Sequence, residues 1–132
     1  MFFLVAPQIM PFDFGSEPLN DQEMAVVVCS ATKGDLPLSI EWYFNGTPLK
    51  SNINGVLLTN TKRTSQLAIE SVSHYNQGNY TCAVKNQAGT TNHTSELYVN
   101  GTKLELLILR FYIFCYLLSI ISCRSPSTNH AL

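Results

Sequence analysis

The chain contains the stretch Asn76-Gln-Gly-Asn-Tyr-Thr-Cys82, and both Cys29 and Trp42 precede it. Two cysteines about fifty residues apart, with a tryptophan after the first and a tyrosine two residues before the second, are typical of a disulfide-linked β-sandwich. We expect Cys29 and Cys82 to be bonded across the core, with Trp42 packed against their sulfurs. The Tyr80 hydroxyl should bond back to the chain at the corner before its strand. Closing a loop of this length stabilises a fold by about 4 kcal/mol in the chain-entropy model.

Alternating apolar and polar residues fill residues 7–101 in short runs, at the spacing expected of seven to eight sandwich strands. Placing Cys29 in the core fixes the register of its strand, so Ala25, Val27 and Ala31 also face inward. The sequence therefore predicts an all-β, two-sheet Greek-key sandwich. The later strands complete the predicted core with Leu38, Ile40, Trp42, Leu67, Ile69, Tyr80, Val84, Leu97 and Val99.

Turn and breaker residues indicate where the predicted strands end. Asn45-Gly46 is the pair preferred in tight hairpin turns. Pro7 and Pro11 predict an edge strand that is kinked or switches sheets, because proline cannot donate to a strand ladder.

The charge composition argues against nucleic acid as a partner. The 132 residues carry a net charge of −1, and only 13% of them are charged, so the chain has no broad positive field. The histidines His74, His93 and His130 lie far apart, with no carboxylate arranged beside any of them. We therefore predict no metal site, no cofactor and no enzymatic activity.

Both ends of the chain differ from the sandwich, which we place at residues 7–101. Residues 1–6 form an apolar leader, too short for a signal peptide that needs an apolar stretch of about 7–15 residues. Residues 102–132 form an apolar tail with a short polar end, and residues 104–123 are a candidate single transmembrane helix that contains Arg110. Three interpretations of these ends stay open: translated sequence flanking a single exon, a genuine membrane helix, or a pro-segment.

Five further stretches carry a resemblance to a known family: Pro7-Gln-Ile-Met-Pro-Phe-Asp-Phe-Gly15, Lys33-Gly-Asp-Leu-Pro-Leu-Ser-Ile-Glu-Trp42, Thr64-Ser-Gln-Leu-Ala-Ile-Glu-Ser71, Asn86-Gln-Ala-Gly89 and Glu96-Leu-Tyr-Val-Asn-Gly101. With the Cys–Trp–Tyr–Cys frame, they make residues 7–101 resemble an intermediate-type (I-set) immunoglobulin domain. The resemblance is closer still to the arthropod Down syndrome cell adhesion molecule (Dscam) family. Asn76 departs from the usual Asp, which would reduce an ion pair with a neighbouring strand to a hydrogen bond.

The resemblance implies an extracellular recognition domain at the plasma membrane. Such a domain binds proteins, either homophilically or through other cell-surface immunoglobulin proteins, in neuronal self-recognition and axon guidance. A Cys29–Cys82 bridge would agree with this location, because disulfides persist in oxidising compartments. The alternatives are an intracellular structural domain with both cysteines reduced, a small single-pass receptor, and an immune recognition protein.

Four Asn-x-Thr sequons begin at Asn45, Asn79, Asn92 and Asn100 and predict N-linked glycans on a secreted surface. Asn92 is the best candidate, on or just before the last strand. Asn45 also suits a tight turn, Asn79 alternates with the buried Tyr80, and Asn100 depends on Thr102 in the tail. Candidate anchors for a protein interface are the tyrosines Tyr43, Tyr75 and Tyr98.

Overall fold

The fold is a two-layer antiparallel β-sandwich. The computed structural model describes residues 3–100. Its strands are β1 (Gln8–Met10), β2 (Ala25–Lys33), β3 (Ser39–Phe44), β4 (Thr47–Leu49), β5 (Val56–Asn60), β6 (Thr64–Ile69), β7 (Gly78–Asn86) and β8 (Gly89–Leu97). One turn of 3₁₀ helix, His74–Asn76, lies between β6 and β7.

The strands form two sheets of four. The first sheet has the order β1-β2-β6-β5, and the second has the order β4-β3-β7-β8. Every paired strand in both sheets runs antiparallel to its neighbour. The prediction of an all-β two-sheet sandwich is confirmed for the described residues.

The core lies between the sheets and is centred on the bond between Cys29 and Cys82. Trp42 on β3 lies directly opposite Cys82 on β7 in the strand register. The buried side chains include Ala25, Val27, Ala31, Trp42, Val56, Leu67, Ile69, Val72, Tyr80, Val84 and Leu97. Alternate residues of β2 face inward, so the register that Cys29 imposes extends along the strand.

The segment before β2 runs along both sheets. β1 pairs with β2 in the first sheet, whereas Leu19 forms a parallel bridge with Val99 beyond the end of β8. The Leu19 amide donates to the Tyr98 carbonyl at 2.9 Å. The chain therefore switches sheets in this region, as its two prolines indicate.

Val5 belongs to the hydrogen-bonded sandwich, two residues before the boundary that we place at Pro7. Its amide donates to an Asp35 carboxylate oxygen at 2.7 Å, and its carbonyl accepts from the Asp35 amide at 3.0 Å. The Asn86 side chain also donates to the Val5 carbonyl, at 2.7 Å. The tail of residues 102–132, with the candidate membrane segment 104–123, lies outside the described residues. Within residues 3–100, no helix is long and apolar enough to cross a membrane.

Candidate functional site

A hydrogen-bonded corner precedes β7 and fixes the start of that strand. The buried Tyr80 hydroxyl donates to the Asn76 carbonyl at 2.6 Å, which is the bond expected from the sequence. Burial of the ring raises the pKa of Tyr80 to about 12, because a charged phenolate is poorly solvated in the core. The corner therefore requires a neutral tyrosine.

Asn76 is buried, and its side chain joins two segments of the chain. Its Oδ1 accepts from the Ser73 amide at 2.9 Å, while its Nδ2 donates to the Asn54 carbonyl at 3.0 Å. The side-chain amide of Asn76 therefore bonds to backbone groups, whereas the sequence suggested a weakened contact to a basic residue on a neighbouring strand. An amide suits this site because its oxygen meets donors of Ser73 and its nitrogen meets an acceptor.

A buried contact that the sequence analysis missed links the two sheets. The Trp42 indole donates to the Ser65 hydroxyl at 2.8 Å, and that hydroxyl donates in turn to the Asn60 side chain. Ser65 is completely buried and pairs with Cys29. A serine at an inward position, directly followed by alternating apolar residues, is the sequence signal for such a partner.

The outward face of the first sheet carries a contiguous group of apolar side chains. Five of them are between 40% and 58% exposed, and a smaller sixth is buried among them. We call this group the apolar face; it consists of Met10, Met24, Val26, Val28, Leu57 and Ala68.

Strand pairing brings the members of the apolar face together. Ala68 on β6 lies directly opposite Val26 on β2 and Leu57 on β5. Neighbouring strands are about 4.8 Å apart, so these three side chains form an unbroken row across the sheet. Val28 continues the group along β2, and Met10 lies one strand further, opposite Ser30. Single exposed apolar residues are normal on a protein surface, whereas extended apolar patches are found at interaction sites, so this group is a candidate contact surface.

Charged residues are almost excluded from the first sheet. Among its four strands, only Lys33 at the end of β2 is charged. Charge depletion at the centre of a surface is typical of protein–protein interfaces. The apolar face is therefore our candidate functional site.

Opposite charges flank the two ends of the apolar face. Glu23 and Glu70 are both exposed. They lie at the same end of the sheet, because Ala25 at the start of β2 pairs with Ile69 at the end of β6. Exposed basic residues lie at the other end: Lys33, Lys62 and Arg63. The Ala31 amide donates to the Arg63 carbonyl at 2.8 Å and so holds the β5–β6 turn beside the end of β2.

Two of the three candidate anchor tyrosines, Tyr43 and Tyr98, lie on the outward side of the second sheet. Tyr75 in the 3₁₀ helix and Tyr98 after β8 are exposed, whereas Tyr43 on β3 is half-buried and so less exposed than predicted. The Tyr43 hydroxyl donates to Glu41 at 2.9 Å, and this hydrogen bond raises the pKa of Tyr43. Glu96 acts in the same way on Tyr98, at 2.7 Å. None of the three tyrosines belongs to the strands of the first sheet or to the apolar face.

The outward face of the second sheet is more polar than the apolar face. A shallow groove of about 760 Å³ lies on it, lined in part by Glu41, Tyr43, Lys85 and Thr90. Three of the four candidate glycosylation residues belong to this sheet or its turns: Asn45, Asn79 and Asn92, all exposed. Asn100 is also exposed, and its side chain donates to Asn20 at 2.7 Å. The use of these sequons stays a prediction.

Within residues 3–100, no group of three or more His, Cys, Asp or Glu side chains could hold a metal ion. His93 instead packs against Phe12, with ring centroids 4.6 Å apart and its Nε2 2.8 Å from the Phe12 carbonyl. Within the same residues, every buried side-chain nitrogen and oxygen has a hydrogen-bond partner.

Comparison with known proteins identifies the family. A model of the immunoglobulin I-set domain matches residues 19–99. The cell adhesion molecule Dscam1 of Drosophila melanogaster is 41% identical over 98 residues, which are 74% of this chain. The human cell adhesion molecule DSCAM is 36% identical over 95 residues, or 72% of the chain. A crystal structure of the Dscam1 Ig7 domain, isoform 5, has a TM-score of 0.71 and 38% identity, and the match covers 72% of this chain and 97% of that one.

The match covers only a small part of the curated relatives. The aligned residues span 5% of the length of Drosophila Dscam1 and 5% of human DSCAM. The Dscam1 Ig7 structure, in contrast, is a single domain matched over nearly its whole length. The similarity therefore concerns one immunoglobulin domain of these long adhesion molecules.

Proposed function

We propose that this chain, which belongs to the immunoglobulin I-set family and is related to the Dscam cell adhesion molecules, is a recognition domain that pairs with a second copy of itself through the apolar face. The proposal places the domain outside the cell, at the plasma membrane. Neuronal self-recognition and axon guidance are the processes that the family resemblance suggests. The single observation that carries the proposal is the charge-free apolar face with oppositely charged ends.

The ends of the apolar face favour a second copy as the partner. In a two-fold dimer the same patch is used by both copies. If the strands of the two copies run in opposite directions, Glu70 at one end lies near Lys62 of the other copy, and the reverse holds at the far end. Each charge pair then joins an acidic residue of one copy to a basic residue of the other, and both come from the same sheet of the domain. Such pairs fix orientation and register.

The Cys29–Cys82 bond supports the extracellular location. Disulfides persist in oxidising compartments and are rare in the cytosol. The intracellular structural alternative requires both sulfurs to be reduced. Mass spectrometry of alkylated natural material would separate the two, since only free thiols take up the alkylating reagent.

A glycan placed on the apolar face provides the direct test. Leu57→Asn puts an asparagine two residues before Thr59 and so creates an Asn-x-Thr sequon in the middle of the face. The full chain, and residues 1–100 in parallel, would be made behind a secretion signal in insect cells and studied by analytical ultracentrifugation. We expect the parent to dimerise with a Kd tighter than about 1 mM, and the glycosylated variant to bind at least about tenfold more weakly.

The matched control combines Leu57→Asn with Thr59→Ala, which removes the sequon but keeps the same asparagine. This control should weaken the dimer less than the glycosylated variant does, because it loses the apolar contact of Leu57 but does not carry the bulky glycan. A glycosylated Leu57→Asn variant that dimerises as well as the parent would contradict the proposed docking face. A parent that stays monomeric at about 1 mM would contradict homophilic binding.

A further inference from the structure

We propose that Asn79 and Asn92 carry N-linked glycans that together cover the outward face of the second sheet, whereas Asn45 stays unmodified although it begins a sequon. The inference rests on the proposed extracellular location, because N-glycosylation takes place in the secretory pathway. The glycans would be attached to the side-chain amides of these two asparagines and would shield that face.

Asn79 and Asn92 lie on neighbouring strands and point the same way. In the β7–β8 ladder Asn79 lies opposite Glu96, and Asn92 lies opposite Ala83. The two asparagines are therefore displaced by four residues along the strands, or about 13 Å. Both are exposed, and both alternate with inward residues, since Tyr80 and Ser95 are buried. Two glycans attached here would stand side by side on one face.

The hydroxyl residues of the two sequons are in direct contact. Thr81 completes the sequon of Asn79, and Thr94 completes that of Asn92. These residues pair across the strands, and their hydroxyls are 2.7 Å apart in a hydrogen bond. The two sequons thus form one outward patch on adjacent strands, away from the core.

The side-chain amide of Asn45 makes contacts that hold its turn. Its Oδ1 accepts from the Asn79 backbone amide at 2.8 Å, and its backbone has a φ of 49° in the turn. A Cβ added to Gly78 would lie 2.6 Å from its Oδ1 and 2.8 Å from its Nδ2. The amide therefore lies directly against the Gly78 backbone. A sugar on Nδ2 would have to enter this contact, so the turn requires an unmodified asparagine.

These glycans would lie on the side of the sandwich opposite the apolar face. None of the four sequons begins in β1, β2, β5 or β6, the strands of the first sheet. A glycan is bulky and solubilising, so glycans at Asn79 and Asn92 would screen the groove beside Glu41 and Tyr43 and leave the opposite face bare. Glycosylation would then direct protein contacts to the first sheet.

Site-by-site mass spectrometry tests the assignment. The full chain would be made behind a secretion signal in insect cells, digested, and treated in ¹⁸O water with and without peptide-N-glycosidase, so that label dependent on the enzyme identifies each occupied asparagine. We expect label at Asn79 and Asn92 and none at Asn45. Asn79→Gln and Asn92→Gln should each remove one glycan from the intact mass, while Asn45→Gln should remove none. An unlabelled Asn79 or Asn92, or a labelled Asn45, would overturn the assignment.

A second measurement separates this inference from the proposed docking face. The double variant Asn79→Gln, Asn92→Gln should dimerise with a Kd within about threefold of the parent, because its glycans lie on the opposite sheet. If both sites are occupied and the double variant nevertheless loses dimerisation, the modification sites stand and the docking face is wrong. If neither site is occupied while the parent still dimerises, the docking face stands and the modification sites are wrong.

Discussion

One buried polar side chain, that of Asn76, holds the turn before β7, and it meets both donors and an acceptor. Asn76 accepts from Ser73 and donates to Asn54. An aspartate could keep the first bond, but its second oxygen would face the Asn54 carbonyl, and two acceptors repel. The departure from the family's usual Asp therefore matches the local environment. The sequence alone could show only that the residue differs, because its partner lies 22 positions away.

Tyr80 makes the domain less stable at alkaline pH. Its pKa is about 12 in the fold and about 10 in an unfolded chain. Below pH 10 both states hold the proton, so the contribution is fully present. Between pH 10 and 12 the unfolded state loses its proton first, and the free energy of unfolding falls as the pH rises.

Tyr80→Phe tests this contribution. The variant leaves the buried Asn76 carbonyl without its hydroxyl donor and should lose about 1–2 kcal/mol at pH 8. It should also lose much of the decline between pH 10 and 12, as measured by urea unfolding at a series of pH values. Tyr98→Phe is the matched control, because Tyr98 is exposed, and it should unfold like the parent at pH 8. Equal unfolding of Tyr80→Phe and the parent at pH 8 and pH 11 would contradict the role of the corner.

The strands and turns follow from local patterns, whereas contacts between them do not. Alternation around Cys29 is sufficient to place the inward side of β2, because side chains change sides at every residue. Asn45-Gly46 likewise forms the tight turn between β3 and β4, with both residues at positive φ. Ser65, by contrast, is the buried acceptor of the Trp42 indole. Only the stacking of the two sheets brings that pair together.

The pattern of residues within single strands does not predict the apolar face either. Met24, Val26 and Val28 are exposed and alternate with the inward residues of their strand, but alternation within one strand does not link them to Leu57. Strand order does so, because β6 places Ala68 between Val26 and Leu57. The tyrosines that the sequence offered as anchors, Tyr43, Tyr75 and Tyr98, all lie outside the apolar face.

The connection from β2 to β3 touches the beginning of β1, and Gly34 makes this possible. A Cβ on Gly34 would lie 2.8 Å from the Pro7 Cα, and its φ is +125°. Gly34→Ala should therefore combine backbone strain with a clash against main-chain atoms and cost more than about 1 kcal/mol. Thermal or urea unfolding measures the loss.

Gly15→Ala is the matched control for Gly34→Ala. Its φ is +106°, but nothing lies within 4 Å of an added Cβ. The control carries the backbone strain without the close approach, so it should lose less stability. Equal losses in the two variants would show that the approach of Gly34 to Pro7 adds nothing.

The two faces of the sandwich divide the proposed roles between them. One face is apolar with charged ends, and the other carries exposed sequons and a groove lined by both polar and apolar side chains. The disulfide joins the two sheets and keeps both faces in a fixed relation. Family, fold and bridge follow from a few residues at fixed spacing, whereas a docking surface depends on how side chains from separate strands combine.

Reciprocal charge reversal at the ends of the apolar face tests homophilic pairing most directly. One variant carries Glu23→Lys with Glu70→Lys, and the other carries Lys62→Glu with Arg63→Glu. In an antiparallel two-fold pair, each variant alone brings like charges together at both ends, whereas a mixture of the two restores opposite charges at both ends. Sedimentation at low salt should show monomers for each variant alone and dimers in the mixture, with the difference reduced by added salt. Dimers of either variant alone as strong as those of the parent, or a mixture that stays monomeric, would contradict pairing through this face.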